Sequence, residues 1–104
     1  MDAPLVVEIP HRLGKDEAVR RLKGGLGRAS AHYGNVMQVH EEIWSGDRLS
    51  FRVEALRQMV SGTVDVRDDN VRIEVTLPWL LARLASGIQA AIRKSGTLLL
   101  EKKP

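Results

Sequence analysis

The sequence predicts an α+β fold in which a single antiparallel sheet is covered on one face by two helices, in the order β-α-β-β-β-β-α. Two observations carry this expectation. Apolar residues alternate through four strand-like segments between Met37 and Leu77, with turn-forming residues between them. The segments on either side instead repeat apolar residues three and four apart, the spacing of a helix face.

Loop length decides which faces align, because residues opposite one another across an antiparallel pair point to the same side. With Ser45, Gly46 and Asp47 as the first loop, Ile43 pairs with Leu49, Glu41 with Phe51, Val39 with Val53 and Met37 with Ala55. A two-residue loop would turn Glu42, His40 and Gln38 inward, a much worse set. A second turn, centred on Arg57-Gln58, places Val53 opposite Gly62, Phe51 opposite Val64 and Leu49 opposite Val66. The third, Arg67-Asp68-Asp69-Asn70, places Val66 opposite Val71, Val64 opposite Ile73 and Gly62 opposite Val75. The reverse face then reads Asp65 beside Arg72, Thr63 beside Glu74 and Ser61 beside Thr76, polar and locally charge-matched. One position breaks the apolar face: Glu41.

Ahead of this meander, Leu5–Ile9 reads as a short strand ended by Pro10. It is placed beside the Val71–Leu77 strand, which leaves the Met37–Ile43 strand at the opposite edge. The first helix is expected from Gly14-Lys15-Asp16-Glu17 to Tyr33-Gly34, with Ala18, Leu22, Leu26, Ala29 and Tyr33 on one stripe. Asp16 and Glu17 suit the positive end of its dipole. Gly24, Gly25 and Gly27 weaken its middle by roughly 1 kcal/mol each relative to alanine. The second helix opens at Pro78 and carries Leu77, Leu80, Leu81, Leu84, Ile88, Ala91, Ile92, Ser95 and Leu99 on its stripe. Gly96 marks a bend or an early end. Leu98, Leu99 and Leu100 form an apolar patch that either docks on the core or contacts a partner.

A chain of 104 residues suits one domain, 1–104, with one modest core. It has no cysteine, which excludes disulfides and thiolate metal sites and suits a cytoplasmic setting. No signal peptide is apparent, and no apolar run approaches the roughly 18–20 residues of a transmembrane helix. A net charge of +3 permits contact with anionic surfaces without demanding nucleic acid. Arg12, Lys15, Arg20, Arg21, Lys23 and Arg28 form a basic run, but aromatic interleaving is poor and no nucleic-acid partner is expected.

Chemistry-bearing motifs are sparse. Lys-Gly-Gly-Leu-Gly-Arg lies within a helical pattern rather than after a strand, so it is no phosphate loop. His11, His32 and His40 lack metal-ligand spacing, and no serine sits in a Gly-x-Ser-x-Gly context. No catalytic residue, metal or cofactor is expected. Glu41 has two readings: an inward charge that protects a sheet edge, or a carboxylate at the mouth of a cavity with a raised pKa. Gly62 removes a side chain from the centre of the buried face, for a close contact or for a ligand. Trp44 and Trp79 fall off the apolar stripes. Trp44 is expected to stack on Arg48 and Trp79 to anchor an interface.

The ordered set Ile9-Pro10-His11, Leu13-Gly14-Lys15 with Ala18, Trp44, Gly46-Asp47-Arg48-Leu49, Phe51, Gly62, Val66, Asp69, Val71 and Leu77-Pro78 runs through most of the chain. With it the sequence resembles the polyhydroxyalkanoic acid system family, small bacterial proteins associated with polyhydroxyalkanoate gene regions. Leu56-Arg57-Gln58-Met59 lacks the glycine expected near that turn. The topology also resembles a minimal helix-grip fold, in which a sheet and a long C-terminal helix enclose an apolar cavity. The family resemblance implies a cellular context and transfers no catalytic or cofactor residue.

The expected function is therefore a non-enzymatic binding or accessory protein of the polyhydroxyalkanoate system. It would engage an acyl-like ligand, the polyhydroxyalkanoate granule surface or a protein partner, a homodimer included. Glu41, Phe51, Gly62, Leu84 and Ile88 are the candidate ligand contacts, and Trp44, Trp79, Leu98 and Leu100 the candidate interface. The alternative is a small helix-grip enzyme acting on a hydroxyacyl or other apolar substrate, with Glu41 as acid or base.

Overall fold

A computed structural model describes residues 3–32, Gly34 and residues 37–101. Five strands form one antiparallel sheet: β1 (Ala3–Pro10), β2 (Met37–Ser45), β3 (Arg48–Ala55), β4 (Gln58–Val66) and β5 (Asn70–Leu77). Their spatial order is β1-β5-β4-β3-β2, so β1 flanks β5 and β2 is the far edge, as the sequence indicated. The fold class is the expected one: an α+β chain with one sheet and a helical layer on its apolar face.

The β4–β5 register follows the sequence reading residue for residue, with Val66 opposite Val71, Val64 opposite Ile73 and Gly62 opposite Val75. The β3–β4 turn is centred one residue earlier than expected. Leu56 and Arg57 form it alone, both at positive φ (53° and 65°), which is the two-residue hairpin geometry that glycine or asparagine normally serves. Pairing therefore slides by two residues, so that Val53 faces Val60, Phe51 faces Gly62 and Leu49 faces Val64. A shift of two preserves the buried face.

The β2–β3 hairpin corrects the sequence reading more deeply. Its loop is Gly46-Asp47, two residues rather than three, with Gly46 at φ 62° supplying the left-handed first position. Trp44 then faces Leu49 and Glu42 faces Phe51, which turns Ile43 and Glu41 to the polar face. A β-bulge at His40, between Val39 and Glu41, inserts one extra residue and reverses the parity. Val39 again faces Val53, and Met37 faces Ala55. The bulge removes the objection to a short loop, since His40 and Gln38 do not end up inside.

The first helical segment is two helices, α1 (Lys15–Leu22) and α2 (Gly25–His32), parted at Lys23-Gly24. Of the expected stripe, Ala18 is buried and Leu22 packs on the core; Tyr33 and the side chains of Leu26 and Ala29 lie outside the described residues. Gly14 precedes α1 at φ 78° and ψ 160°, a region essentially reserved for glycine. The second segment begins with a 3-10 turn (Trp79–Leu84) and continues as α3 (Ala85–Leu100). Gly96 does not end it, since α3 runs on to Leu100. Gly96 is buried in α3, and a Cβ there would run into Ile9 Cδ1, so its bareness lets the helix lie close on β1.

The core joins β1, β5 and β4 to this layer, with Val7, Ile9, Val71 and Leu77 its most completely buried large side chains. His11 is 7% exposed and completes it. Its backbone N–H donates to Asp69 O (2.9 Å) and its Nε2 donates to Arg67 O (2.9 Å), while Nδ1 accepts the Leu13 N–H (3.2 Å). Both ring nitrogens are thus used, which specifies the neutral Nε2–H tautomer. The ring ties the β1–α1 connection to the β4–β5 turn.

Candidate functional site

The sheet places Glu41 away from any sheet–helix space. Glu41 lies on the polar face opposite Arg52, exposed, with Arg52 Nη1 at 3.8 Å from Oε1. The expectation of an inward carboxylate at a cavity mouth is corrected by the two-residue loop. Glu42 takes the inner-face position, itself exposed, and accepts the Trp44 Nε1–H at 3.3 Å. Around them the polar face is a surface ladder: His40 with Glu54 (3.2 Å), Arg48 with Asp65 (3.6 Å) and Arg72 with Glu74 (3.2 Å). Exposed pairs of this kind contribute about 0–1 kcal/mol each.

Phe51 and Gly62 do meet, but against each other. A Cβ on Gly62 would stand 2.7 Å from Phe51 Cζ and collide with the Glu74 carbonyl, so the space at this glycine is already filled by the phenyl ring. Ile88 is half-buried and packs on the core, whereas Leu84 is exposed. Trp44 is half-buried on the inner face, and its ring lies under Lys23 Nζ, 5.7 Å from the centroid. The expected stacking on Arg48 does not form, because the hairpin register puts Arg48 on the other face. Leu100, expected at an interface, is 3% exposed and docked in the core.

What remains on the surface is a pair of features on the helical side. Trp79 (65% exposed), Leu80 (51%) and Leu84 (47%) project from the 3-10 turn, where only Leu81 is buried. Residues 78–100 contain no acidic side chain and only Arg83, Arg93 and Lys94 as charges. The second feature lies where α1, α2 and the end of α3 converge. Here Arg20, Arg21 and Arg28 surround Leu98, Leu99 and Glu101 in a pocket of about 410 Å³.

Glu17 organises that corner. It accepts from Arg20 Nε (2.8 Å) and Nη2 and from Arg21 Nε (2.9 Å), and these two arginines hold its pKa down to about 2. Arg21 in turn donates through Nη1 to Leu99 O (3.4 Å) and Glu101 O (2.6 Å). It thereby caps the C-terminal carbonyls of α3, a helix with no basic residue in its own last turn. Lys15 closes the opposite end of α1 on the β2–β3 turn, 3.1 Å from Asp47, raising the pKa of the amine and lowering that of the carboxylate. The basic run is therefore divided among separate partners.

Among the described residues no group of three or more His, Cys, Asp or Glu side chains could hold a metal ion. No described helix is long and apolar enough to cross a membrane. These features define a small α+β protein whose distinctive chemistry is on its surface. The family model for polyhydroxyalkanoic acid system proteins matches residues 5–99, and the chain belongs to that family. No curated protein matches it.

Proposed function

We propose that the protein is a non-enzymatic accessory protein of the polyhydroxyalkanoate system that adsorbs to the polyester surface through Trp79, Leu80 and Leu84. The observation that supports this reading is the exposure of three large apolar side chains on one short turn, within a segment free of acidic residues. A polyester surface offers aliphatic groups and ester carbonyls. Leucines cover the former, and a tryptophan adds a broad ring together with one N–H donor for the latter. The family supplies the polymer context. An internal acyl site finds less support, because Phe51 occupies the space at Gly62 and Glu41 stands on the far face.

The test is co-sedimentation of the purified protein with polyhydroxyalkanoate particles. Adsorption is expected, and the exposed-residue variant Trp79→Ala/Leu80→Ser/Leu84→Ser should reduce it roughly tenfold at unchanged circular dichroism. Failure of the wild type to sediment, or equal sedimentation of the variant, overturns the reading. A stable dimer in light scattering that the same variant dissociates would assign this turn to self-association instead.

A further inference from the structure

The arginine pocket is distinct from the Trp79 turn and is not explained by polymer adsorption. Its lining is mostly polar, with one apolar side where Leu98 is 61% exposed and Leu99 lies beside it against Gly25. Its rim carries three guanidinium groups, of which two are structurally engaged. Arg21 is committed to Glu17 and the end of α3, and Arg20 has one edge on Glu17. Arg28 differs. Its Nη2 donates to the Arg21 carbonyl at 3.1 Å, and it forms no carboxylate ion pair among the described residues.

Among the described residues, three arginines against Glu17 and Glu101 leave one positive charge in excess at the pocket. A single excess cation matches a monoanion better than a phosphate. The exposed leucine side rewards an aliphatic chain, which a bare inorganic ion lacks. The pocket is an open depression of about 410 Å³, with room for a small ligand that stays partly in water. Glu17 holds Arg20 and Arg21 in place before anything binds, which lowers the ordering cost of association.

We propose that this pocket binds a small organic carboxylate bearing an aliphatic chain, its carboxylate on Arg28 and Arg20 and its chain on Leu98 and Leu99. Guanidinium–carboxylate pairing supplies orientation, and the leucines discriminate by chain length. The site uses none of the residues assigned to the polymer surface, so either assignment can fail alone.

Octanoate is the probe, titrated into isotopically labelled protein and followed at the Arg28 Nε–H and the Leu98 and Leu99 methyl signals. Saturable shifts with a millimolar or tighter Kd are expected, with acetate and octanol both weaker. Arg28→Gln should weaken octanoate about tenfold, and Leu98→Ser should erase its advantage over acetate. The Trp79→Ala/Leu80→Ser/Leu84→Ser variant should titrate as wild type. Absence of shifts to about 10 mM, an unchanged affinity in Arg28→Gln, or inorganic phosphate binding as tightly as octanoate would overturn the proposal. Arg28 and Leu98 are both exposed, so these variants test binding rather than folding.

Discussion

Strands β5 and β2 are built from similar alternating residues and end in opposite conditions. In β5 every second side chain, from Val71 to Leu77, is buried between its neighbours and the helical layer. In β2 no residue is buried: Met37, Val39 and Trp44 are only half covered, and Glu42 stands exposed among them. Helix cover accounts for the burial difference, since α3 lies close on β1 beside β5, and β1 buries Val7 and Ile9 although it too is an edge strand; pairing accounts for the bulge. The β5 strand has a ladder on each side, with β1 and β4, whereas β2 has only β3. An edge strand can therefore accept a bulge at His40 that a central strand, tied on both sides, would resist. Alternation thus fixes which face is buried but leaves the β3–β4 register open by two residues, and at the edge strand β2 it does not prevent a bulge that reverses parity.

Truncation measures this contrast most directly. Val71→Ala should cost about 2 kcal/mol in denaturant unfolding. The same change at Val39 should cost less than about 1 kcal/mol, since much of that side chain is already in contact with water. Equal losses would show that the two strands are equally packed. A smaller effect of opposite sign is expected at the β3–β4 turn. Replacing Leu56-Arg57 by Asn-Gly should raise stability by about 1 kcal/mol, because neither native residue favours positive φ. No gain in thermal midpoint would argue against the strained two-residue turn.

The smallest effect concerns pH. Glu17 is held at about 2 in the folded protein against an ordinary value of 4.5, through its bonds to Arg20 and Arg21. Its stabilising contribution is therefore full above about pH 4.5 and is lost as pH falls toward 2. Relative to wild type, Glu17→Gln should lose part of the acid-limb slope in that window and show a constant offset above it. Identical slopes in acid titrations of the two proteins would exclude the linkage.

The candidate site was legible only in fragments. Trp79 stood out as an aromatic off the helical stripe, and the structure leaves it exposed. Glu41 looked like a buried exception because the loop before Arg48 was read one residue too long. The compensating signals were both present: Gly46 first in a Gly-Asp pair suits a two-residue hairpin, and Trp44 is a natural inner-face residue. A shortened loop and a bulge cancel in parity, so Met37 and Val39 face inward under either reading and cannot expose the error. Arg20, Arg21 and Arg28 appeared as a diffuse basic run. Nothing in their spacing joins them to Leu98 and Leu99, seventy or more positions away.

By itself the sequence determined the class and order of elements, the β4–β5 register and the family, while the edge positions of β1 and β2 were fixed by the sheet itself. The elements and the register rest on periodicity and short-range turn chemistry, which neighbouring residues carry, whereas the family rests on a resemblance in short motifs spread from Ile9 to Pro78. Tertiary structure alone decided that Phe51 fills the space at Gly62, that Ile9 fills the space at Gly96, and that His11 closes the β1–α1 corner. It also decided that Arg20 and Arg21 are held by Glu17 while Arg28 rests on the Arg21 carbonyl. Those outcomes depend on contacts between residues far apart in the chain, where close packing and hydrogen-bond geometry act and local pattern has no reach.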